Sequence, residues 1–541
     1  MRFFRNLFHR QSDPGLSELK DDRLDISRRE AVEKQLPLVA SLEDNLEMLR
    51  AVVGPSSDVI TRRLKVGRGR IPAALIHIKG FVDTVLLERI TNVLTLGLLE
   101  SPVGNASRHT IFSEFRDRLA QSSDVMEVTN FDNMWTNLAQ GHAAVLFDGT
   151  AKALTLNTQG FATRAVQEPA SETVIRGPRE GFVESIETNV SMIRRRVRTP
   201  NLWMEQFTLG DLTRTQVAIM YIKGLASEEL VQEVRQRVRR IKIDGILESG
   251  YVEEFIEDNP FSVFPTIFRT ERPDRVASML LEGRVAIFTQ ATPFVLVVPM
   301  NFFMLTQAPD DYYEKVPIGA FLRLLRVVGF WMSVVLPGFY VAALTFHNEL
   351  FPTDLLISIS ASKEGVPFPV LFEVLVMEMV FELLREAGIR LPRAIGPAIS
   401  IVGALVLGDA AIRAGLVSPP VVIIVALTAI ASFTVPTFSY GIAARLFRFV
   451  FIIFGGTFGL FGIQFAFLAV IIYLIGLRSF GYPYFAPAGP LILSDFKDVF
   501  LRTWWWSMTK RPFLEALREP VRAAGGRRPR QSIEKEEKEK R

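Results

Sequence analysis

LIHIKGFVDTVLLERITNVL (residues 75–94) and IMYIKGLASEELVQEVRQRVRRI (residues 219–241) decide how the chain is read, because the two stretches follow one plan. Each opens with an apolar run that suits a buried strand, turns on Lys-Gly, and continues with apolar residues at helical spacing. A second pair of landmarks follows. NLAQGHAAVLFDGTAKALTLNTQG (137–160) and MLLEGRVAIFTQATPFVLVVPMNF (279–302) both read as a helix end, a Gly and two apolar runs joined by a short polar turn. Gly80 precedes Gly224 by 144 positions, and Gly141 precedes Gly283 by 142. Like features at like spacing predict two tandem, similar α/β subdomains, roughly 70–165 and 215–305, each starting with a strand–turn–helix and closing with a hairpin.

The pairing also settles AIFTQATPFVLVVPMNFFML (286–305), which is apolar enough to pass for a membrane span. Its counterpart carries Asp148-Gly149, a hairpin signal, so 286–305 is expected to form a buried hairpin with Ala291-Thr292-Pro293 at the turn. Between the copies, VIRGPREGFVESIETNVSMIRRRVRTP (174–200) reads as a Gly/Pro loop and a helix ending in Arg194, Arg195 and Arg196. The loop motif Arg176, Gly177, Arg179 and Gly181 either cradles an anion on backbone N–H groups or caps and orients the next helix.

Charged residues crowd positions 1–326, whereas 327–348, 414–444 and 449–477 contain none. With 49% hydrophobic residues over 541, the chain divides into a soluble half and a membrane half. A net charge of +4 does not favour a nucleic-acid partner, although basic clusters suit anionic membrane lipid. The absence of cysteine excludes a disulfide scaffold, thiol catalysis and cysteine metal sites. No GxxxxGK[ST], HExxH or GxSxG occurs, so the expectation is no enzyme, no cofactor and no metal centre. The start, MRFFRNLFHRQSDPG, lacks the apolar run of a secretory signal, which keeps the first half in the cytoplasm. Phe3, Phe4, Leu7 and Phe8 read either as an interfacial amphipathic helix or as a frayed terminus.

Four segments have the length and apolarity of a membrane helix: 324–346, 394–412, 417–443 and 449–477. Pro337, Pro397 and Pro436 interrupt three of them, and Gly455, Gly456, Gly459 and Gly462 loosen the fourth, as in packed polytopic helices. A fifth, FPVLFEVLVMEMVFELLREAG (368–388), sets Glu373, Glu378, Glu382 and Glu386 among Leu, Val, Met and Phe. Glu378, Glu382 and Glu386 share one helical face. Carboxylates at membrane depth need water, a partner or a cavity, so the four are candidates for a pore or ion path. The other reading is an amphipathic helix lying in the interface. Arg385, Arg390 and Arg393 favour a cytoplasmic loop, as do Arg445 and Arg448, and no single count satisfies every basic loop. The expectation is an all-α polytopic membrane domain of four to six helices.

The expected division is an N-terminal segment (1–69), subdomain 1 (70–173), a linker loop and helix (174–214), subdomain 2 (215–310), a transmembrane domain (311–477) and a cytoplasmic tail (478–541). In the tail, GYPYFAPAGP precedes Trp504, Trp505 and Trp506, which suit a headgroup-level belt, and disorder is expected from about residue 525.

Long ordered runs carry a family resemblance: VIRGPREGFVESIETNVSMIRRR (174–196), KIDGILESGYVEEFIEDNPFSVFPT (242–266), TERPDRVASMLLEGRVAI (270–287), VPFPVLFEVLVMEMVFELLREAGIRLP (366–392) and IGPAISIVGALVLGDAAIRAGLVSP (395–419). Over about 70–520 the chain resembles the GerA-type spore germination proteins, the A subunits of spore germinant receptors. The resemblance implies a multi-pass subunit of the spore inner membrane, with its N-terminal region cytoplasmic. It also implies a permease-like B subunit that binds the nutrient and a lipoprotein C subunit as partners. A homo-oligomeric ring would form a nutrient-gated channel for monovalent cations that triggers germination. One departure is Thr289-Gln290-Ala291-Thr292-Pro293, where an Asp-Gly is expected before Thr-Pro; it bears on turn tightness. The competing readings are a secondary transporter, which would show inverted repeats in its membrane half, and a non-conducting scaffold or signalling subunit.

Overall fold

The structure, a computed structural model, describes residues 36–66, 71–96, 108–120, 124–160, 169, 172, 174, 176–390, 406–512, 521 and 522. The apolar N-terminal residues Phe3 to Phe8, most of the 394–412 segment and the tail beyond 522 lie outside the described residues.

Two five-stranded antiparallel sheets carry the α/β half. The first unit runs α1 (Leu42–Val53), β1 (Val59–Val66), β2 (Ile71–Ile78), α2 (Thr84–Leu96), α3 (Arg108–Leu119), β3 (Val125–Val128), α4 (Phe131–Leu138), β4 (His142–Phe147) and β5 (Ala153–Asn157), with sheet order β1-β2-β4-β5-β3. The second runs α5 (Ile186–Arg196), β6 (Leu202–Leu209), β7 (Thr215–Ile222), α6 (Glu228–Arg240), α7 (Ser249–Ile256), β8 (Phe268–Thr270), α8 (Pro273–Leu280), β9 (Val285–Thr289) and β10 (Val295–Val298), ordered β6-β7-β9-β10-β8. The apolar run of β2 is buried on both faces, Ala74 and Ile76 against α1 and α4, Ala73 and Leu75 against α2 and α3. β7 repeats this, Ala218 and Met220 facing α5 and α8, Ile219 and Tyr221 facing α6 and α7. A strand covered on both sides loses its polar alternation.

Segment 286–305 lies in the second sheet: Leu296 pairs with Ile287, and a 3-10 turn, Phe302–Leu305, follows β10. Helix α5 and strand β6 fall within 174–214, read from sequence as a linker, yet β6 pairs with β7 from Leu202↔Ile222 to Leu209↔Thr215. Helix α1 and strand β1 occupy the matching place within 1–69. The cause is local. SLEDN (41–45) and SIETN (185–189) both start a helix with a Ser N-cap whose hydroxyl accepts an N–H three residues on. Asn45 then clamps the backbone of Val39 (Nδ2 to carbonyl 2.7 Å, N–H to Oδ1 3.0 Å), and Asn189 clamps Val183 the same way (2.5 and 2.8 Å).

The two units meet through Arg194 of α5, which forms a buried ion pair with Asp58 ahead of β1 (Nη2–Oδ1 2.9 Å). Trp203 donates to the carbonyl of Val52 at 3.0 Å, and Trp135 to that of Arg198 at 2.7 Å.

A short helix α9 (Asp310–Tyr313) leads into the helical half: α10 (Val316–Phe346), α11 (Thr353–Lys363), α12 (Val370–Arg390), α13 (Pro419–Ser432) and α14 (Phe438–Gly476). Among the described residues two helices, α10 and α14, are long and apolar enough to cross a membrane, with mean hydropathy 1.9 and 2.4. The expected span 417–443 is divided, because α13 ends at Ser432 and α14 starts at Phe438, with Pro436 between. The span 449–477 is not one straight helix either. Gly459 has φ 64° and ψ −146°, and the arms on either side fold back on each other. Phe454 stacks on Phe465 at 6.1 Å, and Phe447 lies 6.4 Å from Tyr473. Twenty-six residues of straight helix would separate Phe447 from Tyr473 by about 39 Å. At the hairpin tip, a Cβ on Gly459 would touch Phe346 and His347 at the end of α10.

Candidate functional site

Helix α12 carries the acidic row, and its neighbours place each carboxylate. Glu373, one turn into the helix, accepts the N–H and hydroxyl of Ser418 at 2.9 and 2.8 Å, so it caps α13, and Lys363 lies 3.6 Å away. Glu378 pairs with Arg448 of α14 at 2.6 Å, both side chains fully buried. Glu382 pairs with Arg445 at 2.7 Å and lies 3.8 Å from Arg448. Glu386 is exposed and pairs along its own helix with Arg390 at 2.7 Å. The structure thus brings Glu378 and Glu382 together against two arginines of one helix, sets Glu373 at the other end of α12, and leaves Glu386 outside the group.

Arg448 has a second role. Its Nε donates to the carbonyl of Ser333 at 2.7 Å. In α10 that carbonyl would take the N–H of residue 337, and Pro337 has none. The guanidinium therefore satisfies both a buried carboxylate and a backbone acceptor freed by a proline. A buried ion pair offsets its desolvation only through such extra hydrogen bonds. One oxygen of each acidic side chain, Oε1 of Glu373, Glu378 and Glu382, still has no hydrogen-bond donor.

Two glycines let α14 approach closely enough. A Cβ on Gly338 would lie 2.5 Å from the Phe451 carbonyl oxygen, and one on Gly455 would lie 2.5 Å from that of Gly338. Small residues at a helix crossing permit this backbone contact.

The Gly/Pro loop holds a cation of its own chain. Fully buried Arg272 donates to the Pro178 carbonyl at 3.0 Å, to the Glu172 carbonyl at 3.2 Å and to Asp274 at 2.7 Å. Gly177, at φ 137°, faces the ring of Tyr313, which a Cβ would meet at 2.7 Å. Tyr313 in turn donates to Asp274 at 2.6 Å. Arg176 reaches Glu314 at 3.8 Å, Arg179 is exposed, and Gly181 is buried beside Phe182, whose N–H bonds the Glu271 carbonyl at 2.8 Å. The loop thus presents carbonyl oxygens to a guanidinium and joins α8 to α9, the step into the helical half.

The sequence profile described as Bacillus/Clostridium GerA spore germination protein matches residues 47–514. The chain belongs to the GerA family. It is 45% identical over 503 residues to spore germination protein KA of Bacillus subtilis (strain 168), covering 92% of this chain and 91% of that one. It is 37% identical over 475 residues to spore germination protein B1 of the same organism (87% and 97% covered). With spore germination protein GerLA of Bacillus cereus it shares 35% over 469 residues (87% and 94%). A crystal structure of the N-terminal domain of the A subunit of the Bacillus megaterium spore germinant receptor GerK3 aligns with TM-score 0.40 and 35% identity, covering 50% of this chain and 98% of that one.

In this GerA-family chain the arginine partners were legible only as topology signals. Arg445 and Arg448, three apart on one helix, meet Glu378 and Glu382, four apart on another, each pair sharing one helical face. Arg272 stands inside TERPDRV, where no spacing marks it as the partner of the Gly/Pro loop. A further buried cluster, Arg323 with Asp311 at 3.0 Å and Asp498 at 3.2 Å, ties α10 to α9 and to the segment after α14.

Proposed function

We propose that this GerA-family chain is the A subunit of a nutrient germinant receptor in the spore inner membrane, acting with a permease-like B subunit and a lipoprotein C subunit. Its helical half, in a homo-oligomer, forms a gated path for monovalent cations that triggers germination. The observation that carries this reading is the acidic row Glu373, Glu378 and Glu382, spread over about 13 Å of α12, whose Oε1 atoms accept no hydrogen bond, those of Glu373 and Glu382 facing Lys363 and Arg448 only at 3.6 and 3.8 Å. Oxygens so placed suit water or a passing cation, while Arg445 and Arg448 hold the side chains in position.

We also infer that the two sheets are tandem copies of one fold, supported by their matching strand order and Asn clamps, and that the membrane is crossed six times. Contacts support the count. Helix α10 ends at the Gly459 tip, and Leu371 and Ser418 lie toward that same end, beside Gly456 and Glu373. Ser432 meets Arg385, and Tyr473 meets Ser262 of the α/β half. On this reading α10 and the two arms of α14 cross together with the acidic α12 and the shorter α13, and the span expected from sequence at 394–412, which lies mostly outside the described residues, completes the six. This arrangement puts Arg385 and Arg390 on the side of the α/β units, the cytoplasmic side.

Cation flux in vesicles tests the path. Glu382→Gln and the paired change Glu378→Gln/Arg448→Met should lower flux or cation selectivity while melting and assembly persist. Unchanged flux would remove α12 from the path.

A further inference from the structure

The loop after α7 descends to the helical half. Asp258 fixes its root, pairing with Arg237 at 2.5 Å and accepting the Gly481 N–H at 3.3 Å. Phe264 fixes its other end, buried and stacked on Phe447 at 5.0 Å, with Tyr440 and Tyr473 each 6.4 Å away. Between them Tyr473 is hydrogen-bonded to Ser262, hydroxyl to hydroxyl, at 2.9 Å. Phe261, beside Ser262, is 95% exposed, and Val263 is 39% exposed.

The depth of this loop follows from the helix it touches. The returning arm of α14 has no charged residue before Arg478. Tyr473 lies three positions inside the helix end at Gly476, about 4.5 Å along its axis, its ring against Phe264 and Phe447 and its hydroxyl bonded to Ser262. A loop bonded to that hydroxyl reaches the same level. Phe261 is thus a bare aromatic side chain, on a loop pinned at both ends, beside the last turn of a membrane helix.

We propose that Phe261 and Val263 form a lipid-binding wedge, inserted at the headgroup–acyl boundary of the leaflet facing the α/β units. This rests on the reading of α14 as membrane-crossing. The wedge anchors the second α/β unit to the bilayer independently of the chain's own entry and exit.

The chain has no cysteine, so single labels need no background removal. Phe261→Cys, Ile472→Cys and Leu212→Cys in the full chain, each carrying a nitroxide, are reconstituted in phosphatidylcholine/phosphatidylglycerol vesicles. Ile472 is exposed on the returning arm, and Leu212 lies in the β6–β7 turn, at the end of the sheet away from Val298. Collision with oxygen against a water-soluble nickel chelate is then compared. The wedge predicts an oxygen-to-nickel ratio at 261 several-fold above that at 212 and approaching that at 472. A ratio at 261 equal to that at 212 overturns it. Exclusion of both reagents at 261, or spin–spin broadening there, identifies a second copy as the occupant and also overturns it. A ratio at 472 like that at 212 would instead fail the membrane reading, and the wedge with it.

Discussion

Arg448 donates through Nε to the carbonyl of Ser333, the acceptor that Pro337 deprives of its helical partner. Its other arm holds Glu378. Arg448→Ala therefore strands a buried carboxylate and a backbone carbonyl together, and should cost about 3–5 kcal/mol. Glu378→Gln/Arg448→Met should cost less than Arg448→Ala alone, because it removes both charges. Melting of the purified chain in detergent, read as a double-mutant cycle, checks the coupling.

The turn departure has a measurable consequence. Ala291 holds φ 70°, where Gly149 in the first unit holds φ 86°. Both donate a backbone N–H to the residue before a Ser N-cap segment, Ala291 to Glu184 and Gly149 to Ala40. A left-handed conformation costs an L side chain roughly 1–2 kcal/mol. Ala291→Gly should stabilise the chain by about 1 kcal/mol, and Gly149→Ala should destabilise it by a similar amount, as read by denaturant midpoints.

His77 gives the α/β half an acid sensitivity. Burial first, and the nearby Arg62 second, lower its pKa from 6.5 to about 4. Above pH 6.5 the imidazole is neutral in both folded and unfolded chains and stability is unaffected. Between pH 6.5 and 4 the unfolded chain takes up a proton that the folded one refuses, so stability falls as pH falls. His77→Leu should flatten that part of the stability profile relative to the parent. Parallel profiles for the two would show that His77 does not titrate in this way.

The crossing at Gly338 tolerates no added bulk. Gly338→Val would drive a side chain into the Phe451 carbonyl, and Gly455→Val into that of Gly338. Either change should separate α10 from α14, lowering the melting temperature and loosening the Arg448–Ser333 contact. A substitution at Gly365, where a Cβ meets nothing within 4 Å, should leave melting unchanged.

Strong local punctuation made the sheets readable. Gly80 and Gly224, both at positive φ, follow the second strand of their units, and Gly141 and Gly283 precede the fourth. The start of each unit was harder, because its signal is a single Asn and a Ser cap rather than an apolar run. In the helical half hydropathy located the apolar segments but not the reversal at Gly459, since a glycine among glycines marks no unique break. The acidic row was visible as composition. Its partners were not, because the pairing joins residues 63 to 70 positions apart, a distance over which side-chain periodicity says nothing.

The reversal at Gly459 returns the chain to the unit it left. Ser479, three residues past the hairpin, donates its hydroxyl to the Thr266 carbonyl at 2.6 Å and accepts the Met300 N–H at 2.9 Å. The second α/β unit thus grips the bundle at two points, where α10 departs and where the returning arm arrives. Any rotation of that unit would therefore act on both helices at once. The glycine crossing at Gly338 and Gly455 holds α10 against α14 beyond those two points, and Arg448 bridges the same pair of helices.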